Sequence, residues 1–477
     1  MVERPPEGDQ EAAEKKPADA QEDPPPPNPE DAGLPDETIE AVREALDQGD
    51  VPQVESLLAV LHPADVADIL EICVGEERAL LVQILGAHID PEILSHLEPT
   101  VREEVIEQLG PENLARVLMD LDSDDAVEIF EDLEEDSQSR ILAKLPFAYR
   151  HILQEGLSYP EDSAGRLMAR EFVAVPQTWT IGQTIDYLRA AEDLPDIFYD
   201  LYVVNPKHKP LGMVPLSRAI GARRPERIYE LIEEGEMHSV PLTMDQEEVA
   251  YLFRQYGLAS APVVDDAGRL VGTITVDDIV HVIHEEADED MLRMAGVGET
   301  DLYQAIIDTA KSRFTWLFVN LGTAILASLV IGLFETTIER VVALAVLMPI
   351  VASMGGNAGT QTLTVAVRAM AMKDLGPWNA LRFVGKELLV GGFNGVVFAI
   401  LMGTIAWLWF DDHLIGLIIG IAMIVNLIVA AAFGTLIPLT LERFKVDPAV
   451  ASGVFLTTVT DVVGFFAFLG LAALVLL

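Results

Sequence analysis

A single cysteine, Cys73, stands among the 477 residues, which excludes an intrachain disulfide and suits a reducing compartment. Basic side chains are scarce: 31 Lys and Arg face 77 Asp and Glu, a formal net charge of −46. That deficit argues against nucleic acid or anionic lipid as a partner of the charged region and in favour of cations, although solvated acidic surface accounts for much of it. No nucleophile–base pair or catalytic metal cluster is visible, so the chain does not read as an enzyme. A cleavable signal peptide is not expected, because residues 1–36 are charged and hold nine prolines, the composition of a disordered tail.

Lys and Arg are missing altogether from five long apolar runs, 314–334, 341–367, 388–410, 414–441 and 448–477. Each reaches the roughly 20 residues needed to cross about 30 Å of hydrocarbon, so an all-α transmembrane domain of five helices is expected over 314–477. Only the last run carries a charge, Asp461, within Thr457-Thr458-Val459-Thr460-Asp461-Val462-Val463-Gly464. A charge near the bilayer centre costs at least about 2.5–3.5 kcal/mol, and such residues usually mark an ion path. With no basic residue in any run, its compensation must be water, a cation or a proton. Arg368, Lys373, Arg382 and Lys386 crowd the second loop, Arg443 and Lys445 the fourth, and Lys311 and Arg313 precede the first run. By the positive-inside rule the N-terminus is cytoplasmic and the C-terminus outside a bacterial-type plasma membrane.

The remaining charge is concentrated upstream, since only nine acidic and seven basic residues follow residue 313. Residues 37–155 repeat with a period of 12, leucine recurring at Leu61, Leu85, Leu97, Leu109, Leu121, Leu133 and Leu145 with Cys73 in the remaining slot. Short helices repeating this way stack into a superhelix, here an acidic α-helical domain. Residues 156–290 turn α/β: strands are predicted at 172–176, 197–204, 211–214, 260–264 and 270–276, in two copies (156–228 and 229–290). The copies turn at Asn205–Pro210 and Asp265–Gly268. This resembles a tandem CBS-domain pair, a cytosolic regulatory module that often binds adenine nucleotides such as ATP. By that resemblance Thr275 and Asp278 would hold a ribose; Pro215 and Arg218 stand at the matching places of the first copy, so at most one nucleotide site is expected. Residues 291–313 follow as a connector, broken at Gly296-Val-Gly298 and helical over 299–313, suited either to transmit gating or to serve as a passive spacer.

The second run contains Pro349-Ile-Val-Ala-Ser-Met-Gly355-Gly356-Asn357-Ala-Gly359-Thr360-Gln361-Thr362. Such residues are expected to loosen a helix against a water-filled cavity, or to allow close helix packing. Asn357 and Gln361, four apart on one face, favour a lined cavity, and Asn426 and Pro438 in the fourth run point the same way. Together with Thr460-Asp461-Val-Val-Gly464, this stretch resembles the MgtE family of magnesium channels, and the likeness extends over about residues 40–477.

The resemblance implies a homodimer in the lipid bilayer, with its pore on the dimer axis and one Asp461 from each subunit contributing to Mg²⁺ selectivity. Asn357, Gly359, Gln361, Asn426, Thr457 and Thr460 would line that pore. The resemblance also implies regulatory Mg²⁺ sites in the cytosolic part, with carboxylates at Glu92, Asp124, Glu128, Glu247, Asp278, Glu286, Glu289 and Asp290, and Asp447 at the cytosolic start of the fifth span. Gly257, His281 and Gly453 depart from family patterns. The chemistry is consistent, because Mg²⁺ takes one or two carboxylates and keeps its waters, and the runs hold no site rich in softer donors. High cytosolic Mg²⁺ would bridge facing carboxylates and close the pore; its loss would let like charges repel. A coupled divalent-cation transporter driven by Na⁺ or H⁺, and a non-transporting membrane sensor, are the alternatives.

Overall fold

The computed structural model describes residues 34–191, 194–195, 197–232, 235, 237–297, 306–376, 378–449 and 452–476. Residues 1–33 of the expected tail and residues 299–305 of the predicted 299–313 helix lie outside the described residues. The chain divides into two compact units, one ending at Leu97 and the other beginning at Glu98.

The first unit is five short helices: α1 (Asp36–Asp47), α2 (Val51–Leu58), α3 (Pro63–Ile72), α4 (Glu76–Leu85) and α5 (Glu92–Ser95). Local chemistry sets their starts. The Asp50 side chain accepts from Gln53 N ahead of α2, and His62 and Asp65 cap α3 reciprocally with Pro63 in its first turn, satisfying donors that a helix N-terminus leaves unpaired. The 12-residue repeat is one helix plus its turn, and the repeat residue closes it: Cys73 and Leu97 are buried at such junctions.

The second unit continues the pattern with α6 (Pro99–Asp120), α7 (Ser123–Glu131), α8 (Glu135–Leu142), α9 (Phe147–Gly156) and α10 (Ala164–Leu167). α6 bends at Gly110, whose φ of 73° ahead of Pro111 is a conformation glycine adopts without strain. Leu109, Leu121, Leu133 and Leu145 are buried here.

Two three-stranded sheets follow. β1 (Ala174–Pro176), α11 (Ile181–Ala190), β2 (Asp200–Val204), β3 (Pro210–Pro215) and α12 (Leu216–Gly221) form the first copy. β4 (Val240–Pro241), α13 (Gln246–Tyr256), β5 (Ser260–Val264), β6 (Leu270–Thr275) and α14 (Val276–Met294) form the second. In each, the outer pair is parallel, the hairpin antiparallel, and the register shifts at equivalent valines, Val203/Val204 and Val263/Val264. The left-handed position of each hairpin turn is held by His208 in one copy and Gly268 in the other. Buried Tyr202 joins the sheets: its hydroxyl lies 2.8 Å from Ser260 Oγ and 2.5 Å from Thr273 Oγ1, while Ser260 donates to Asp200 at 2.8 Å.

The membrane part consists of α15 (Ile306–Gly332), a short α16 (Glu335–Arg340), α17 (Ala343–Ala371), α18 (Ala380–Phe410), α19 (His413–Arg443) and α20 (Ser452–Leu476). Five of these are long and apolar enough to cross a membrane. α19 is the central helix, packed on α17, α18 and α20. Glycines set its approach to α18: a Cβ on Gly403 would meet Gly416 O at 2.8 Å, and one on Gly391 would meet Leu427 O at 2.8 Å. Against expectation, α17 does not loosen at its Pro349-to-Gly359 stretch but runs unbroken. Its small residues mainly serve close packing, since Gly355 abuts Asn426 and Gly359 abuts Leu456. The third helix also begins eight residues before the apolar run that predicted it, which brings Glu387 inside a span.

Candidate metal centres and pore

α14 is the spine of the carboxylates outside the spans. With 3.6 residues per turn, Asp278, Glu285 and Glu289 fall on one stripe and Glu286, Asp290 and Arg293 on the next. Asp278 stands near Asp124 of α7. Burial and the charge of Asp278 push Asp124 well above the usual carboxylate range, and its Oδ1 is buried without a hydrogen-bond partner. Burial pushes Asp278 up to about 6, although Thr275 donates to it through Oγ1 at 2.8 Å and N at 3.2 Å. The residues expected at a ribose therefore form the capping box that starts α14.

Two turns on, Glu285 is raised by burial and by Glu128. Glu128 itself receives Arg102 Nη1 at 2.8 Å, and that guanidinium also reaches Asp132 at 2.7 Å. The adjacent stripe meets α13 and the start of the fifth span. Burial and Glu286 push Glu247 up to about 7. Burial and then Asp447 push Asp290 up to about 6. Burial raises Glu286, whose Oε1 accepts from Gln246 Nε2 at 2.9 Å. Arg293 is the resident cation here, pairing with Asp447 at 2.6 Å and with Glu289.

The structure thus brings Asp124 with Asp278, Glu128 with Glu285, and Glu247, Glu286, Asp290 and Asp447 into mutual electrostatic reach. Among the described residues no three His, Cys, Asp or Glu side chains close on a common point as metal ligands. The donor sets are nonetheless all oxygen and under-compensated, which fits a hard, hydrated cation. Glu92 belongs to the first unit, at the start of α5, where its N–H donates to Asp90 at 3.2 Å. Sequence reasoning missed Glu285; its i+7 spacing from Asp278 on one helix was the available signal.

The departures have structural reasons. Gly257 ends α13 in the left-handed conformation (φ 63°), a position that glycine most often fills. His281 lies on α14 and opposes the rise at Glu285. Gly453 sits beneath the end of α14, where an added Cβ would lie 3.4 Å from Met294 O. Met294 packs there with Leu363, Val367, Ala449, Leu456 and Ile437, so the end of α14 seats in an apolar socket made by three spans.

A second contact ties the sheets to the membrane part. Arg254 of α13 donates to Met372 O at 3.2 Å, Lys373 pairs with Glu248 at 3.2 Å, and both cations lie over the Tyr251 ring, 5.5 and 5.1 Å from its centroid.

Within the spans, Asp461 is partly buried on α20 and makes no hydrogen bond or ion pair to another described residue. Thr457 is partly exposed one turn before it. Thr460 is fully buried, its hydroxyl returning to Leu456 O and Thr457 O at 3.1 and 3.0 Å, so it offers no open oxygen. Asn357 and Gln361 sit on an exposed face of α17, and Gly359 is buried. Asn426 is placed in the packing rather than on an open face. It is 0% exposed, donates Nδ2 to Val351 O at 2.8 Å, and fills the space above Gly355 and Gly464.

Family models match the chain in the order of its parts: the MgtE intracellular N domain over residues 61–162, a CBS domain over 232–285, and MgtE, divalent cation transporter, over 348–471. The chain is 34% identical over 444 residues to magnesium transporter MgtE of Thermus thermophilus, covering 91% of this chain and 98% of that one. It is 30% identical over 442 residues to magnesium transporter MgtE of Bacillus subtilis, covering 92% and 97%. Among solved structures, the cytosolic domain of the Mg²⁺ channel MgtE in complex with ATP aligns at 33% identity and a TM-score of 0.48, over 51% of this chain and 99% of that one. An acidic helical region, a CBS pair and five spans, matched nearly end to end by both relatives, make this chain a member of the MgtE family of divalent cation transporters.

Proposed function

We propose that the protein is a Mg²⁺ channel that admits magnesium across the plasma membrane and is closed by cytosolic Mg²⁺. The observation that carries this reading is Asp461, a carboxylate inside a span with no partner among the described residues. A bilayer makes such a charge costly unless water or a cation meets it. Two copies on the axis of a homodimer would supply two carboxylates to a hydrated Mg²⁺, with Thr457 and Asn357 available to its water shell. Mg²⁺ sheds water reluctantly, so outer contacts of this kind suit it.

Closure follows from the charge on α14. Divalent ions between Asp124 and Asp278, and among Glu247, Glu286, Asp290 and Asp447, offset repulsion that the protein leaves uncompensated, and they favour the arrangement in which Met294 occupies its socket. Their loss restores repulsion and frees the end of α14. This requires Mg²⁺ to bind the closed state more tightly than the open one. The basic loops favour a cytosolic N-terminus. A nucleotide at Thr275 and Asp278 would have to share these side chains with the helix cap, so it is assigned a supporting role at most.

Electrophysiology on purified protein, with Mg²⁺ varied on each side, tests the reading. Asp461→Asn is expected to lower Mg²⁺ current at least about 10-fold, the equivalent of about 1.4 kcal/mol. Parent-like current in Asp461→Asn and Asp461→Ala would sink it, and dependence on a Na⁺ or H⁺ gradient would favour a coupled carrier.

A further inference from the structure

α18 starts at Ala380, well before its apolar run, so Glu387 lies two turns inside the helix, about 10 Å from its first residue. It is 8% exposed. Its charged partner is Lys386 on the neighbouring position, 3.7 Å away with a side chain 70% exposed. Glu387 lines a cavity of about 150 Å³ with Gln361 and Thr362 of α17 and Asn394 of α18, the remaining walls being apolar or glycine. Glu387 and Asn394, seven residues apart, share one face of α18. Gly391 between them allows that face to close on α19, since a Cβ there would lie 2.6 Å from that of Ala431.

Among the described residues, the side chains of Gln361, Thr362 and Asn394 make no hydrogen bond to protein. Polar and ionisable side chains are costly at membrane depth and usually face water or a partner, so these three and the weakly paired Glu387 favour a polar occupant of the cavity. The donors are one carboxylate, two amide carbonyls and a hydroxyl, an all-oxygen set that suits a hard cation. At about 30 Å³ per water the cavity holds roughly five waters, room for an ion that keeps most of its shell.

We propose that this cavity is a second intramembrane Mg²⁺ site, distinct from Asp461, in which Glu387 supplies the charge and Gln361, Thr362 and Asn394 hold the ion's water. It lies toward the membrane face bearing the basic loop, where Lys386 stands in until an ion displaces it. The proposal deepens the channel reading and rests on it, yet its test does not require conduction.

The full-length protein in detergent is treated with dicyclohexylcarbodiimide, which attacks carboxyl groups in apolar surroundings, and the Glu387 peptide is followed by mass spectrometry. Glu387 is expected to be labelled in the absence of divalent ions and protected at least about 5-fold by millimolar MgCl₂, but not by choline chloride of equal ionic strength. The same protection is expected in Asp461→Asn, which separates this site from the pore. In proteoliposomes, Glu387→Gln is expected to raise the half-saturating Mg²⁺ concentration about 5- to 10-fold with maximal flux within about twofold, while Glu387→Asp stays close to the parent. Absence of labelling, labelling indifferent to Mg²⁺, or a parent-like concentration dependence in Glu387→Gln would each overturn the proposal.

Discussion

Replacing Gly355 by alanine should damage the membrane part out of proportion to one methyl group, and a second substitution should undo much of the damage. The new Cβ would lie 2.2 Å from Asn426 Nδ2 and 2.8 Å from its Cγ, closer than atoms tolerate. Asn426 cannot retreat, because Gly464 bounds it on the other side, where a Cβ would lie 2.8 Å from Nδ2. Overpacking of this kind costs about 1–3 kcal/mol, which lowers the melting temperature by about 2–4 °C per kcal/mol for a domain of this size. Asn426→Ala removes the obstruction. Alone it forfeits the bond to Val351 O, worth about 0.6 kcal/mol on average inside a membrane, and it also removes the buried, unpartnered Oδ1. Gly355→Ala/Asn426→Ala should therefore melt higher than Gly355→Ala, with a coupling of about 1–3 kcal/mol. Thermal unfolding of the four proteins in one detergent, read by intrinsic fluorescence, measures this. Strictly additive shifts would refute Asn426 as the joint between α17, α19 and α20.

Two further outcomes follow from the acidic stripes. Glu247, Asp278 and Asp290 have folded pKa values raised to about 7, 6 and 6, so the folded chain binds more protons than the unfolded chain between about pH 4 and 7. Stability from these groups is fully present below that window and is lost as pH rises through it. The Mg²⁺-free protein should melt higher at about pH 5 than at about pH 7.5, and Mg²⁺ should raise the melting temperature more at the higher pH, where the carboxylates are free to bind it; the opposite ranking would contradict the cluster. Arg293→Glu, which removes the cation shared by Asp447 and Glu289, should increase flux at low cytosolic Mg²⁺ by roughly 5-fold, about 1 kcal/mol of closure, measured in proteoliposomes. A parent-like rate would show that the pair does not hold the closed state.

Much of this architecture was legible because it rests on periodicity. The leucine repeat, the duplicated strand–turn–strand unit and the apolar runs each report burial directly, and all reappear as elements. Asp461 stood out because charge is rare in hydrocarbon. What stayed hidden depends on long-range juxtaposition. Asn357, Gln361 and Asn426 look alike as polar residues in apolar runs, yet Asn426 is enclosed by three helices and the other two are exposed. The onset of α18 was misplaced because Lys386 and Glu387 resemble loop residues when hydropathy alone is read, whereas the helix is set by its backbone bonds. The contact of Lys373 with Glu248 joins residues 125 positions apart, beyond any local pattern.

That contact has a mechanical consequence. The second CBS copy is fastened to the bilayer-embedded part at two places, through α13 at Met372 and Lys373, where α17 ends, and through α14 at Asp447, ahead of α20. A body pinned at two points on different helices cannot rock without sliding one helix along the other. Because α17 presents Asn357 and α20 presents Asp461, even a small tilt of the copy changes the relative height of these two oxygen-bearing side chains.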